Sequence, residues 1–245
     1  MYCSPRQLNY RRDQAVSGHP GARVIGFPGT SLNSLWLAVA LAFLLSPVQR
    51  CFSDPLYWDT NGSTPGSGNL GGIWGTDNFW TVDLDGLLAT GPYAAGSVVT
   101  FSAGVDGTGS YTVTLSSNQN AAGLNFQEGH VTIAPTTAVT TANFASIEIL
   151  TLSGATPNIN VQNMDSAITA RMISSGLVKT GYGRLTLDFA ASGSASYFNL
   201  GAAAITIQQG TLELKGTGAS ANQLSSSSGI VINSGGTFLW NTGAN

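Results

Sequence analysis

Short runs of alternating apolar and polar residues recur along residues 96–245, and many of them meet at a glycine. Apolar residues two apart lie on one side of a strand, so each run predicts a strand with one buried face. Six glycines recur at intervals of 25, 25, 29, 27 and 25 residues, namely Gly104, Gly129, Gly154, Gly183, Gly210 and Gly235. Such a period is typical of stacked repeats, and we predict an all-β parallel β-helix, or β-solenoid, of about six coils.

The same alternation predicts the core of the stack. In a parallel stack the equivalent positions of neighbouring coils align, so their apolar side chains form ladders that face inward. We expect these ladders to contain Leu124, Phe126, Val131, Ile133, Ile147, Ile149, Leu185, Leu187, Ile205, Ile207, Leu212, Leu214, Ile230 and Ile232. Antiparallel hairpins, or exposure of more than a third of these residues, would contradict the solenoid.

Residues 54–95 differ in composition from the repeat region, because they are rich in glycine and aromatic residues and show little alternation. Its aromatic cluster is Tyr57, Trp58, Trp74, Phe79 and Trp80. The end coil of a solenoid needs a cover for its apolar end, so we predict an N-terminal cap in this segment. The alternative is that these rings are exposed and bind carbohydrate. The chain stops within what reads as a coil, so we expect the repeat region 96–245 to be truncated at its C-terminus.

Residues 1–53 are predicted to be a signal peptide with a long basic leader. Residues 35–45 form an apolar run of 11, which suits the core of an export signal and is too short to span a bilayer. Four arginines precede it, and we expect cleavage after Ser53. The mature protein is then secreted or held at the cell surface, with no stable membrane span. The alternatives are a buried core helix and a lipid anchor on Cys51.

Charge and cysteine content narrow the function classes. Only 9% of the residues are charged, against about 25% in ordinary soluble domains. The predicted mature chain carries four scattered cations, which make no phosphate-binding stripe, so we expect no nucleic-acid partner. These cations are Arg171, Lys179, Arg184 and Lys215. Both cysteines, Cys3 and Cys51, precede residue 54, so we expect no disulfide, thiol nucleophile or cysteine-ligated metal after cleavage.

The candidate chemical groups are isolated in the sequence. His130 follows Glu128 at a turn and is predicted to be an exposed corner histidine. Residues 83–86 (Asp-Leu-Asp-Gly) lack the remaining acids of a calcium loop, and residues 104–109 lack the lysine of a phosphate loop. Asn61 begins a glycosylation sequon whose use depends on the host. We predict no catalytic residue, no cofactor-binding residue, no metal ligand and no cofactor.

One stretch resembles a known repeat. Residues 176–187 read GLVKTGYGRLTL and residues 205–214 read ITIQQGTLEL. Together they are similar to the bacterial autotransporter-associated β-strand repeat, and residues 57–62 and 74–80 resemble the opening of large secreted proteins of that kind. The resemblance implies a passenger-type right-handed parallel β-helix that is exported and displayed or released. It implies no catalytic activity.

We therefore predict an exported, non-enzymatic β-solenoid that serves as a structural or adhesive cell-surface module. Its expected partners are an unidentified surface or polysaccharide ligand and further repeats stacked end to end. The alternative is a polysaccharide-binding or polysaccharide-degrading β-helix protein. Degradation requires clustered carboxylates or acids with a base, so cleavage that depends on Glu128, His130 or Asp165 would favour that alternative.

Overall fold

The computed structural model describes residues 54–140, 143, 145–188, 198–216 and 229–241, so the predicted signal peptide lies outside the described residues. The described residues form strands and connections, with no helix among them. The strands are β1 (Leu56–Trp58), β2 (Gly72–Trp74), β3 (Trp80–Thr81), β4 (Val98–Phe101), β5 (Ser110–Leu115), β6 (Gln119–Ala121), β7 (Gly123–Phe126), β8 (His130–Pro135), β9 (Ile149–Leu152), β10 (Asn158–Val161), β11 (Asp165–Ile168), β12 (Arg171–Ser174), β13 (Leu177–Thr180), β14 (Arg184–Asp188), β15 (Phe198–Asn199), β16 (Ile205–Ile207), β17 (Gly210–Lys215), β18 (Ile230–Ile232) and β19 (Gly236–Asn241).

The strands form three long sheets. Sheet A has the order β18-β16-β13-β10-β7-β4-β1-β3, sheet B the order β19-β17-β14-β11-β8-β5-β2, and sheet C the order β15-β12-β9-β6. From β4 to β16 the chain passes repeatedly from A to B to C and back to A, so neighbours in a sheet come from successive turns of the chain. Every pairing between neighbouring sheet strands is parallel except the antiparallel pairing of β1 with β3. The predicted all-β solenoid is confirmed.

Parallel register aligns the apolar residues as expected. In sheet A, Phe101 of β4 is opposite Phe126 of β7, which is opposite Val161 of β10. In sheet B, Leu185 of β14 is opposite Leu212 of β17. All five side chains are fully buried, while the residues that alternate with them face outward. The core is therefore a set of ladders that run along the stack.

Eleven of the fourteen residues predicted for the core are buried, so that prediction is confirmed as a whole. It is wrong for Ile149, which is partly exposed and lies opposite Arg171 on the outer side of sheet C. The inward residues of β9 are Leu150 and Leu152 instead. Apolar residues at 147, 149, 150 and 152 occupy both phases of a period of two, so alternation alone selected the wrong phase.

The other two exceptions lie on β18, at one end of sheet A. Ile230 and Ile232 continue the ladder of Ile205 and Ile207, but Ile230 is partly exposed and Ile232 is 51% exposed. Their side chains point inward, yet β16 is the one described strand that borders β18. The inward face of the stack is therefore open at this end.

The corner between sheets A and B carries the glycines, but at less regular intervals than predicted. Register places one residue of each turn in line before the sheet B strand, and this line is Gly109, Gly129, Met164, Gly183, Gly210 and Gly236. Its intervals are 20, 35, 19, 27 and 26 residues. The predicted anchors Gly104, Gly154 and Gly235 are therefore wrong. Turn length varies because the connection between sheets B and C varies, from residues 169–170 to residues 136–148.

Close backbone approach explains why glycine recurs at the corner between sheets A and B. A Cβ on Gly183 would lie 2.0 Å from the carbonyl oxygen of Asn163 on the preceding turn. A Cβ on Gly210 would lie 2.4 Å from the carbonyl oxygen of Gly181, and Gly210 also has a φ of +70°. Each corner is thus wedged against its neighbour, so these turns present their side chains from a closely packed backbone.

The three tryptophans of the predicted cap pack inward. Trp58 and Trp74 are fully buried, and Trp80 is 2% exposed. The Trp58 ring meets Trp80 edge to face at 4.9 Å, and all three tryptophans lie within about 6 Å of Phe101 at the start of the phenylalanine ladder. The alternative that these tryptophans are exposed carbohydrate-binding rings is wrong. β1 and β2 belong to the same sheets A and B as the later strands, so the sheets do not mark a boundary between residues 95 and 96. That boundary stays a prediction.

One inward position holds a lysine. Lys179 lies between Ile159 and Ile207 in a core ladder and is fully buried. Its Nζ donates to three carbonyl oxygens at 2.7–3.1 Å, those of Thr180, Gly181 and Gln209. Burial lowers the pKa of Lys179 from 10.5 to about 8, because no carboxylate is among the groups that accept its hydrogen bonds. The ammonium ties the A–B corners of two neighbouring turns together.

Candidate binding face

Sheet B carries a row of polar and charged residues on its outer side, one from each of five successive strands. We call Ser110, His130, Asp165, Arg184 and Thr211 the charged row. Neighbouring strands lie about 4.8 Å apart, so these side chains are adjacent although they are far apart in sequence. The parallel stack therefore assembles a group that no single turn contains.

His130 and Asp165 are in direct contact. The Nδ1 atom of His130 is hydrogen-bonded to Oδ1 of Asp165, and the two side chains are 44% and 45% exposed. A neutral imidazole that donates from Nδ1 keeps Nε2 available to accept a hydrogen bond. A half-exposed pair of this kind contributes at most about 1 kcal/mol to stability, so its main effect is to orient the two side chains.

Arg184 connects the row to a buried carboxylate. Its guanidinium is 3.5 Å from Oε2 of Glu213, whose side chain is only 6% exposed. Thr186 and Asn241 each donate a hydrogen bond of 3.0 Å to the same carboxylate. Burial opposes the ionisation of Glu213, but the hydrogen bonds from Asn241 and Thr186 and the charge of Arg184 outweigh it, so the pKa of Glu213 is lowered. Glu213 is therefore a fixed negative charge on the outer side of sheet B, in the row that also contains Thr186.

A shallow depression of about 90 Å³ opens in the middle of the charged row. Its walls include the side chains of His130, Asp165 and Arg184, together with Thr132 and Thr186 from the next outward row. It offers one carboxylate, one imidazole, one guanidinium and two hydroxyls to solvent. Such a set can donate and accept several hydrogen bonds over a small area.

The structure separates His130 from Glu128, the partner considered on sequence. Oε2 of Glu128 accepts a hydrogen bond of 2.7 Å from the backbone of Gly107, so it fastens the neighbouring corner instead. Asp165 takes its place beside His130 because β11 lies next to β8. Sequence reasoning missed this pair because the two residues are 35 positions apart. Aligning the turns by their sheet B strands would have found it, whereas the regular glycine spacing misplaced this turn.

The remaining candidate loops are turns that bind backbone groups. Asp83 accepts a hydrogen bond of 2.6 Å from the amide of Leu87, which closes the 83–87 turn. Gly104 has a φ of +68° and donates to the carbonyl of Leu84 at 2.6 Å. Asn61 lies in a turn where its backbone N–H donates a hydrogen bond of 3.0 Å to Oδ1 of Asp59. In the described ranges no three His, Cys, Asp or Glu side chains are grouped to hold one metal ion.

Comparison with known proteins gives one informative relative. The chain is 33% identical over 187 residues to the adhesin BmaC autotransporter of Brucella suis biovar 1 (strain 1330). This chain is an autotransporter-related protein. The match covers 74% of the autotransporter-related chain but only 5% of the adhesin, so the chain spans a small part of that relative's length. No protein-family model matches the chain, and no solved structure does.

No helix among residues 54–140, 143, 145–188, 198–216 and 229–241 has the length and hydropathy needed to cross a bilayer.

Proposed function

We propose that this chain is an exported, non-enzymatic β-solenoid that serves as a structural or adhesive module at the cell surface. The observation that carries the proposal is the 33% identity to an autotransporter whose name describes it as an adhesin. Adhesion requires a broad, stable surface, and a stack of parallel turns supplies one without a deep pocket. We extend the adhesive role of the relative to this chain because 74% of the chain matches a region of that relative.

The geometry of sheet B supports binding by many weak contacts. Its outward residues repeat hydroxyls at equivalent positions, since Thr112, Thr132 and Thr186 lie in one row. The depression in the charged row is shallow, and its single carboxylate, Asp165, is already hydrogen-bonded to His130. Glycoside hydrolysis by paired carboxyl groups needs two free acids facing one bond. The arrangement favours retention of a ligand over its cleavage.

We also propose that the chain carries the autotransporter-associated β-strand repeat and an export signal. The two stretches that resemble the repeat form β13, β14, β16 and β17, which are consecutive parallel strands of sheets A and B. Export predicts that secreted material begins within a few residues of Asp54. N-terminal sequencing of the secreted protein tests this, and an intact Met1 in the cytoplasm would contradict it.

The adhesive proposal is tested with residues 54–245 displayed on beads. We expect the beads to be retained on surfaces coated with host cells or polysaccharides, at least about fivefold above uncoated beads, with no release of soluble sugar. Retention by many weak contacts should rise steeply with bead coating density. Retention equal to that of uncoated beads would contradict adhesion.

The enzymatic alternative has a specific signature in the same experiment. Ser110, His130 and Asp165 are successive members of the charged row, in the order of a hydrolytic triad. Hydrolysis of an ester or polysaccharide that is lost in Ser110→Ala, His130→Gln and Asp165→Asn would contradict the non-enzymatic proposal. Lys215→Gln, a change on the same outer face, is the matched control.

We further propose that the open end of the stack docks against another repeat. At this end Ile232, Phe238 and Trp240 occupy inward positions of β18 and β19. Ile232 is 51% exposed and Trp240 is 43% exposed, and the Phe238 and Trp240 rings meet edge to face at 6.4 Å. Inward apolar residues that remain exposed at the edge of two sheets are suited to pairing with a further coil.

In a preparation of this chain alone, that coil must come from a second copy. We expect concentration-dependent self-association in sedimentation velocity, which Ile232→Lys combined with Trp240→Lys abolishes because lysine blocks both the apolar contact and edge pairing. The matched control is Val231→Lys with Leu239→Lys, since these residues lie on the same strands but face outward and are 47% and 41% exposed. Equal loss in both double variants, or a monomeric parent chain, would contradict end-to-end docking.

A further inference from the structure

The depression in the charged row is small, and its ionisable and hydroxyl side chains favour a polar group. Its volume is only about 90 Å³, and it is open to solvent. A ligand that fits must therefore insert one polar edge and leave the rest of its body on the flat face. The groups that meet this edge are the side chains of His130, Asp165 and Arg184.

The charges of the depression favour a neutral ligand. Asp165 is hydrogen-bonded to His130, and the charge of Arg184 is balanced by the buried carboxylate of Glu213 at 3.5 Å. An anionic ligand would have to compete with Glu213 for Arg184, and would lie close to the carboxylate of Asp165. A hydroxyl group both donates and accepts, so a pair of hydroxyls can donate to Asp165 while accepting from Arg184.

An exposed aromatic ring lies at the A–B corner that precedes Arg184. Tyr182 is 83% exposed and lies at the A–B corner, two residues before Arg184. The glycines on either side wedge this corner against the previous turn, because a Cβ on Gly181 would lie 2.2 Å from the carbonyl oxygen of Val161, and one on Gly183 would be equally crowded. The ring is thus presented by a firmly held backbone, at low cost in conformational entropy when a ligand binds.

An exposed aromatic ring two residues from a hydroxyl-matching guanidinium suits one ligand class. A pyranose has an apolar face of C–H groups that packs on a ring and an edge of hydroxyls that bonds to carboxylate and guanidinium. A peptide would be expected to add a strand or insert apolar anchors. Here β11 and β14 are paired along both edges, so neither can accept an added strand.

We propose that Tyr182, Arg184, Asp165 and His130 form a binding site for one unit of a neutral saccharide. This inference rests on the proposed adhesive function and names its ligand. The site uses three neighbouring turns of the solenoid, since the four residues come from β8, β11, β14 and the corner that precedes β14. Retention of a long polymer then follows from many such weak contacts on many displayed copies.

The experiment measures retention of residues 54–245 on immobilised dextran, mannan and laminarin, with alginate and heparin as acidic counterparts. We expect retention on at least one neutral polymer to exceed that on the acidic ones. Tyr182→Ala and Asp165→Asn should each weaken it by about tenfold, which is about one order of magnitude in the dissociation constant. Tyr182→Phe should stay within about threefold, because the ring is kept.

Lys215→Gln is the matched control, since Lys215 lies on the outer side of sheet B and is bonded to Asp188 rather than to the charged row. Circular dichroism of each variant confirms the fold. Equal retention of Tyr182→Ala and the parent chain, preference for acidic polymers, or no retention on any neutral polymer would overturn the saccharide site. If bead adhesion to host cells persists in that case, adhesion stands and the saccharide proposal fails; if adhesion is also absent, both fail.

Discussion

Phe101→Ala should lower the free energy of unfolding by about 3–5 kcal/mol. The ring is fully buried at the point where the tryptophan cluster meets the phenylalanine ladder. Its centroid lies 5.9 Å from that of Trp74, 5.9 Å from Trp80 and 5.5 Å from Phe126, with which it stacks. Truncation removes a large apolar area and leaves a cavity that backbone strands on both sides prevent from collapsing.

Urea denaturation followed by tryptophan fluorescence measures this effect, because Trp58, Trp74 and Trp80 surround the substituted ring. Val105→Ala is the control, since Val105 is 89% exposed and its truncation should change stability by less than about 0.5 kcal/mol. A loss below about 1.5 kcal/mol for Phe101→Ala would show that the first turns do not depend on the cluster.

The free energy of unfolding of the parent chain, relative to that of Lys179→Met, should rise by about 2 kcal/mol as the pH rises from 7.5 to 9.5. The size follows from about 1.4 kcal/mol per pKa unit. Burial lowers the pKa of Lys179 from 10.5 to about 8 in the folded protein. Between these two values the unfolded chain binds more protons than the folded one, so the free energy of unfolding increases with pH. Methionine does not titrate, so the difference isolates Lys179.

Urea unfolding of both proteins at pH 7.5, 8.5 and 9.5 gives the three differences needed. Lys215→Met should show no such rise, because its hydrogen bond to Asp188 raises the pKa of Lys215 and moves its titration to higher pH. A difference that is flat with pH would show that the three carbonyl acceptors hold the ammonium fully charged.

The architecture could be predicted because the apolar period of two and the long repeat can both be read directly along the sequence. The inward residues of β7, β8, β14, β16 and β17 follow directly from alternation. The phase of β9 could not be predicted, since its segment has apolar residues in both phases. A register shift of one residue reverses the buried and exposed sides, so Ile149 was assigned to the wrong face.

The candidate site was less predictable, because it depends on which turns lie side by side. His130 was visible as an isolated histidine, but its contact with Asp165 requires the register of β8 and β11. The long connection of residues 136–148 hides that register from a fixed repeat length. The buried ammonium of Lys179 was also missed, since a lysine in an alternating strand normally faces solvent.

The uneven length of the connections between sheets B and C has a consequence for engineering. Two residues join β11 to β12 and thirteen join β8 to β9, yet the strands on both sides keep their pairing. The closure cost of a loop grows slowly with its length, so this edge can accept a foreign peptide, such as an epitope, at little thermodynamic expense. The glycine corners at Gly183 and Gly210 on the A–B edge have no such freedom, because their backbones already touch the preceding turn. Grafts intended for multivalent display on this scaffold therefore belong in the connections between sheets B and C, with the binding face of sheet B left intact.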